Sequence, residues 1–206
     1  MRGNVRLERP HHPSLAPCDV ALVFGEQPLT TVRQQAESTT IGINHKTLVV
    51  LDFGSQYSQL IARRTRELGV HTLLIGLDQV DALETPNLRG VILSGGPDSV
   101  YAKDSPQLPK WVLEAGVPVL GICYGMQALA IQLDGQVETS REREFGYVRV
   151  RAQGHSKLLS GIQDDTNDQG HGLLDVWMSH GDRVTQMPPG FKCIASSESA
   201  PIAGMA

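Results

Sequence analysis

Thr47-Leu48-Val49-Val50-Leu51-Asp52 is an unbroken apolar run closed by a carboxylate. A run of this kind reads as a strand buried on both faces, as in a parallel sheet. Gly54 and Ser55 then open a predicted helix with Tyr57, Leu60, Ile61 and Leu68 on one face, ended by Gly69. Val70 to Ile75 and Gly90 to Leu93 are the next two strands, the second leading into Ser94-Gly95-Gly96-Pro97. A helix is expected over Pro106 to Ala115, closed by Gly116. Val117 to Ile122 is a fourth strand that runs straight into Cys123 and a helix from Tyr124 to about Leu133. Strand–helix alternation predicts an α/β fold: a mostly parallel sheet with helices on both faces. Ligands of such sheets sit at the carboxyl ends of the strands. Asp52-Phe53-Gly54, Ser94 to Pro97 and Cys123 all fall at those ends.

The pattern changes beyond Gly135. Phe145 to Arg151 alternates, as an antiparallel or edge strand with one wet face does. Leu173 to Met178 and Lys192 to Ser196 are further strand candidates, and Pro201 to Ala206 reads as the start of another. With no turn or polar tail after it, that last element is expected to be unfinished, and the sheet incomplete at the C-terminus. Residues 1–45 show neither period. They hold Pro10, Pro13, Pro17, Pro28 and the pair His11-His12, and are expected to form a disordered extension of a domain over 46–206.

The 206 residues, 40% of them hydrophobic, suffice for one α/β domain of ordinary size. A net charge of -4 gives no basic field for nucleic acid. No apolar stretch approaches the ~18 residues of a membrane span. Three cysteines, Cys18, Cys123 and Cys193, are too few and too odd in number for a disulfide framework, so a reducing cytoplasm is the expected setting.

Gly121-Ile122-Cys123-Tyr124-Gly125 has the spacing of a nucleophile elbow with cysteine as the nucleophile. A sharp strand-to-helix turn lifts the thiol above the sheet, and the flanking glycines leave room for the turn. The following helix points its positive end at the sulfur and favours thiolate. The N–H of Tyr124 is placed to meet a developing oxyanion. Cys18 and Cys193 lack this context and read as structural thiols. Ser94-Gly95-Gly96-Pro97-Asp98-Ser99 fits either a second oxyanion arm or a phosphate loop like that of ATP pyrophosphatases, or a plain tight turn. Val100 to Pro106 is a poor helix start, which favours the oxyanion role. Gln127 lies one helical turn after Cys123 and could hold an amide substrate. Ser179-His180-Gly181-Asp182 follows a strand and could reach the same site, with His180 more easily read as structural than as a catalytic base.

Together, Asp52 to Tyr57, Ser94 to Pro97, Gly121 to Gln127, Arg143-Glu144-Phe145-Gly146 and Trp177 to Asp182 resemble class I glutamine amidotransferases, and among them the GMP synthase family. The resemblance runs from about Lys46 to Ala206. It implies a flavodoxin-like domain that hydrolyses L-glutamine to glutamate and ammonia through a glutamyl thioester on Cys123. It implies oxyanion N–H groups from Gly96 and Tyr124, and a glutamine pocket lined by Gln127, Ser179, His180 and Gly181. It also implies a partner: an ATP pyrophosphatase domain, using ATP and magnesium, that takes the ammonia to convert XMP to GMP. No cofactor or metal is expected in the present chain. The family takes its base from a His-Pro-Glu segment, and none of the seven histidines here is followed by Pro-Glu. The chain is therefore expected to stop short of its base and to hydrolyse glutamine poorly. A glutamine- or partner-binding module without activity, or another cysteine-elbow hydrolase, remains open at this stage.

Overall fold

A computed structural model describes residues 45–82, 87–153 and 156–206, with the backbone alone for 81–82, 140–145 and 179–180. Of the expected extension only His45 falls among these; Cys18, His11 and His12 lie outside the described residues.

Four strands form the parallel sheet: β1 (Thr47–Asp52), β2 (Thr72–Gly76), β3 (Leu88–Leu93) and β4 (Val119–Gly121). Their order is β2-β1-β3-β4. The apolar runs at the centre are explained by two covered faces. Val49, Leu51, Val91, Leu93 and Val119 pack on one side against Val112 of α2 (Trp111–Glu114) and Met126 and Leu129 of α3 (Tyr124–Gln132). Val50, Ile92, Leu48 and Leu120 face the other side, against Ile61 and Ala62 of α1 (Ser58–Glu67). Each fully buried Leu or Val contributes about 1.5–3 kcal/mol, and Val49, Val50, Leu51, Leu93 and Leu129 are all at 0% exposure.

Two helices differ from expectation. The first begins at Ser58 rather than Ser55, because Asp52 Oδ1 accepts from the backbone N–H of Gly54 and Ser55 and from Ser58 Oγ, holding the intervening turn out of helix. Its buried residues are Ser58 and Ala62. Of the expected face of Tyr57, Leu60, Ile61 and Leu68, Ile61 packs on the sheet beside this stripe, whereas Leu60 and Leu68 are exposed. Small side chains let the helix lie close to the sheet. The expected helix over Pro106 to Ala115 is present only as Trp111–Glu114. Pro109 has no N–H to give, and the chain before it runs extended with Leu108 buried.

After α3, Asp134 (φ 68°) and Gly135 turn the chain into a second sheet, antiparallel and ordered β6-β7-β5-β8-β9. Its main members are β5 (Gln136–Ala152) and β7 (Gly172–Gln186), far longer than the alternating segments predict. The small strands are β6 (Asp165–Thr166), β8 (Cys193–Ser196) and β9 (Gly204–Met205). The strand expected over Pro201 to Ala206 is β9, paired antiparallel with β8. Val137 and Val184 join the core beside Leu129 and Ala130, which docks this sheet on the far end of α3. None of the described helices is long and apolar enough to cross a membrane.

Leu129→Ala removes a side chain at 0% exposure from the junction of both sheets. Equilibrium denaturation is expected to show a loss of about 2–5 kcal/mol; a loss below about 1 kcal/mol would contradict a packed junction.

Candidate active site

The strand-to-helix turn at Cys123 is tight for a steric reason. Ile122 N–H bonds Leu93 O at 2.9 Å, so β4 stays paired with β3 up to the turn. Gly125 N–H then reaches back to Ser94 O at 3.1 Å and Ile122 O at 3.0 Å. A β-carbon on Gly125 would lie 2.5 Å from Leu93 Cβ, and one on Gly121 would lie 2.7 Å from Met126 N. The first turn of α3 thus rests on the strands with no space for a side chain at either position. Between the two glycines Cys123 takes φ 50°, ψ -110°. A non-glycine residue in that region carries about 1–3 kcal/mol of strain, which persists only where surroundings enforce it.

The neighbouring loops are tied to this turn. Ser94 is fully buried; its Oγ accepts from Phe53 N–H at 3.0 Å and donates to Gly95 O at 2.8 Å. Gly96 lies so close that an added β-carbon would be 2.9 Å from Phe53 O and 3.3 Å from the Tyr124 ring. The Phe53 and Tyr124 rings pack at 5.2 Å, and the Tyr124 hydroxyl donates to Pro106 O at 2.5 Å. Burial, the largest influence, pushes the Tyr124 phenol above its ordinary range. No helix starts at Ser94 to Ser99; the next is α2 at Trp111, so this loop lacks the helix terminus a phosphate cradle needs.

The turn opens onto a cleft lined by Cys123, Met126 and Gln127 at the elbow and α3, by Met178, Asp182 and Arg183 of β7, and by Ala200 and Ile202. Gln127 is buried at 6% exposure, and its Nε2 donates to Asp182 O at 2.9 Å, joining α3 to β7. Gly181 sits in β7 where the ladder with β5 slips between Thr139 and Glu144. Ser179 and His180 pair by backbone with Phe145 and Glu144; their side chains lie outside what is described. Of the residues singled out from the sequence, Cys123, Tyr124 and Gln127 lie on one turn and helix, Gly96 lies against the Tyr124 ring, and Gly181 lies on the strand β7. The sequence reading passed over Asp182 except as the end of a motif. That carboxylate is only 7% exposed, and Oδ2 has no hydrogen-bond partner among the described residues. The signal available in the sequence was an acid directly after the Ser179-His180-Gly181 segment.

Cys193, like Cys123 a partly exposed thiol, differs from it in backbone setting. It sits in β8, its Sγ contacts Ala195 O at 3.2 Å, and burial, the leading cause, raises its pKa. Among the described residues no group of three His, Cys, Asp or Glu could hold a metal.

An α/β domain with a strained cysteine at the carboxyl edge of its parallel sheet defines a cysteine-elbow class. The class-I glutamine amidotransferase family model matches residues 49–206. GMP synthase [glutamine-hydrolyzing] of Methylobacillus flagellatus is 62% identical over 160 residues, covering 77% of this chain and 30% of that protein. The same enzyme of Methylococcus capsulatus is 61% identical, covering 80% and 32%. A Thermoplasma acidophilum structure, provisionally described as a GMP synthase protein, superposes with TM-score 0.62 at 26% identity, covering 78% and 77% of the two chains. A glutamine amido transferase of Methylobacillus flagellatus shares the fold at TM-score 0.57 and 22% identity, covering 78% and 64%. The chain belongs to the class-I glutamine amidotransferase family. It spans about 30% of the length of the curated relatives it matches.

The raised pKa of Cys193 means its thiolate appears only at higher pH than that of an ordinary thiol. Iodoacetamide at pH 8, followed by peptide mapping, is expected to alkylate Cys193 more slowly than a free cysteine. Alkylation at the free rate would show the thiol to be unshielded.

Proposed function

We propose that the chain is the glutamine-hydrolysing part of a GMP synthase, with Cys123 as nucleophile. The observation that carries this reading is the enforced φ of 50° at Cys123, in a chain whose family hydrolyses amides. The Cys123 thiolate attacks the side-chain carbonyl carbon of L-glutamine. The carbonyl oxygen takes up negative charge and meets the N–H groups of Gly96 and Tyr124. The nitrogen takes up the proton that the thiol gave up to solvent, the C–N bond breaks and ammonia leaves, and water hydrolyses the glutamyl thioester to glutamate and free thiol.

The rest of the cleft suits an α-amino acid. Gln127 and the strand backbone from Ser179 to Gly181 line the substrate end. A buried carboxylate oxygen without a partner is costly, and an ammonium group satisfies it. Asp182 Oδ2 is that oxygen, so it holds the α-amino group in this reading.

The ammonia serves a partner domain in the part of the relatives that this chain does not span. That partner is an ATP pyrophosphatase that converts XMP to GMP with ATP and magnesium. The described residues do not fit those two groups: they offer neither a metal-binding cluster nor a helix terminus at Ser94 to Ser99. In this reading ATP and magnesium act in the partner domain, and no step here runs through them.

Two expectations test the reading. The 206-residue chain holds no His-Pro-Glu segment, and lacking the base of a triad costs about 10³–10⁶ in rate. Glutamate release is expected to be that far below an ordinary amidotransferase; turnover of about 1–10 s⁻¹ would refute the assignment of the base. A diazoketone analogue of glutamine is expected to label Cys123 and spare Cys193, and L-glutamine to protect. Asp182→Asn should weaken that protection at least about tenfold. Equal labelling of the two thiols, unaffected by glutamine, would remove the pocket.

A further inference from the structure

The cleft at Cys123 carries two opposite charges on adjacent residues of β7, Asp182 and Arg183. Asp182 is 7% exposed, and its Oδ2 has no hydrogen-bond partner among the described residues. Arg183 is the one cation among the residues described as lining the cleft. The ion pairs among the described residues engage Arg63, Arg64 and Arg149, and none engages Arg183. Its hydrogen bond within the described structure is a long one, from Nη1 to Ser199 O at 3.4 Å. A guanidinium holds five N–H donors in a planar fork that matches a carboxylate. Most of that fork stays open.

Glu138 of β5 lies directly across the ladder from Arg183, where opposite charges ordinarily pair. The guanidinium reaches Ser199 instead. The residue after Ser199 is Ala200, which lines the cleft together with Ile202 and Ala203. Ser197 fixes this segment: its Oγ accepts from Ala200 N–H at 2.9 Å, and its own N–H donates to Ala200 O at 2.9 Å. Successive strand residues point to opposite faces of a sheet. The long arginine stem is what returns a positive charge to the cleft that Asp182 enters.

We infer that Arg183 is a specificity-determining residue whose guanidinium donates to the α-carboxylate of the substrate, while Asp182 Oδ2 takes the α-amino group. This rests on the glutamine reading above and assigns the second charge of the amino-acid end. Ammonium and carboxylate of a zwitterion share one carbon, and Asp182 and Arg183 share one peptide bond. The rest of the wall is largely apolar, with Met126, Met178, Ala200 and Ile202, which suits the two methylenes of glutamine. An amide without the carboxylate leaves the guanidinium unmatched and binds more weakly.

The test is protection of Cys123 from iodoacetamide in the 206-residue chain, read by peptide mapping. Iodoacetamide has neither an amino nor a carboxyl group, so its own rate reports the thiol. L-Glutamine is compared with 4-aminobutanamide, which keeps the amine and the carboxamide and lacks the carboxylate. Arg183→Ala is expected to raise the glutamine concentration for half-protection at least about tenfold and to move 4-aminobutanamide by no more than about twofold. Arg183→Gln keeps a donor for Ser199 O without the charge and is expected to behave as Arg183→Ala. Arg183→Lys keeps the charge without the fork and is expected to fall between Arg183→Gln and the parent. Without ligand, each variant is expected to be alkylated at the parent's rate. Unchanged glutamine protection in Arg183→Ala or Arg183→Gln would overturn the inference. So would an equal loss for both ligands, or an altered rate without ligand, which would place the effect on the elbow. If 4-aminobutanamide protects neither protein, Arg183→Gln decides alone. A parent that glutamine does not protect sinks the reading beneath; a protected parent with unaltered variants sinks this inference alone.

Discussion

The contact between Gly125 and Leu93 sets the geometry of everything near Cys123. A helix normally stands off a sheet by the width of its side chains. Here the first turn of α3 lies against the strand itself, with a would-be β-carbon 2.5 Å from Leu93 Cβ. That closeness leaves the chain two residues in which to reverse from strand to helix. The positive φ of Cys123 follows from it, and the strain is offset by burial of Leu93, Tyr124 and Leu129 around the turn. Gln127 then falls one turn further along the same helix, where its amide can reach Asp182 O.

The two sheets divide the work. In the proposed reaction the parallel sheet supplies the reacting end: β3 and β4 present Gly96 and Cys123 from adjacent loops, and the loop after β1 is tied to the β3 loop through Phe53 N–H and Ser94 Oγ. The antiparallel sheet supplies the opposite wall, with Met178, Asp182 and Arg183 from β7. Docking of Val137 and Val184 on Leu129 and Ala130 fixes the distance between the walls. A core change far from the thiol therefore alters the width of the cleft before it alters the chemistry.

Much of this was legible in the chain itself. β1 and β3 carry near-continuous apolar runs because both faces are covered, and their loops announce themselves through Asp52-Phe53-Gly54 and Ser94-Gly95-Gly96. The elbow was legible because its steric demand fixes two glycines at set spacing. What escaped depends on partners distant in sequence. The buried face of α1 is set by small residues, Ser58 and Ala62, which carry little hydrophobic signal. The length of β5 and β7 comes from pairing each other over charged and polar stretches, as in Arg149 with Asp175, where period alone marks no strand. Asp182 escaped because an acid past the end of an apolar run looks like a surface residue until the long strand β7 and the cleft around it are known.

Tyr124 ties the two donors of the proposed oxyanion site into one unit. Its N–H and that of Gly96 come from different loops, and charge stabilisation in the proposed reaction needs them fixed relative to each other before the charge forms. The Tyr124 ring meets that need. It lies against Gly96 on one side and Phe53 on another, while its hydroxyl is anchored on Pro106 O. Because burial holds the phenol above its ordinary pKa, the hydroxyl stays a donor throughout the range in which a thiol ionises. The anchor therefore does not loosen over the range in which the proposed reaction needs a thiolate at Cys123. In that proposal Tyr124 acts twice, through its backbone on the reacting oxygen and through its side chain on the loop that carries Gly96.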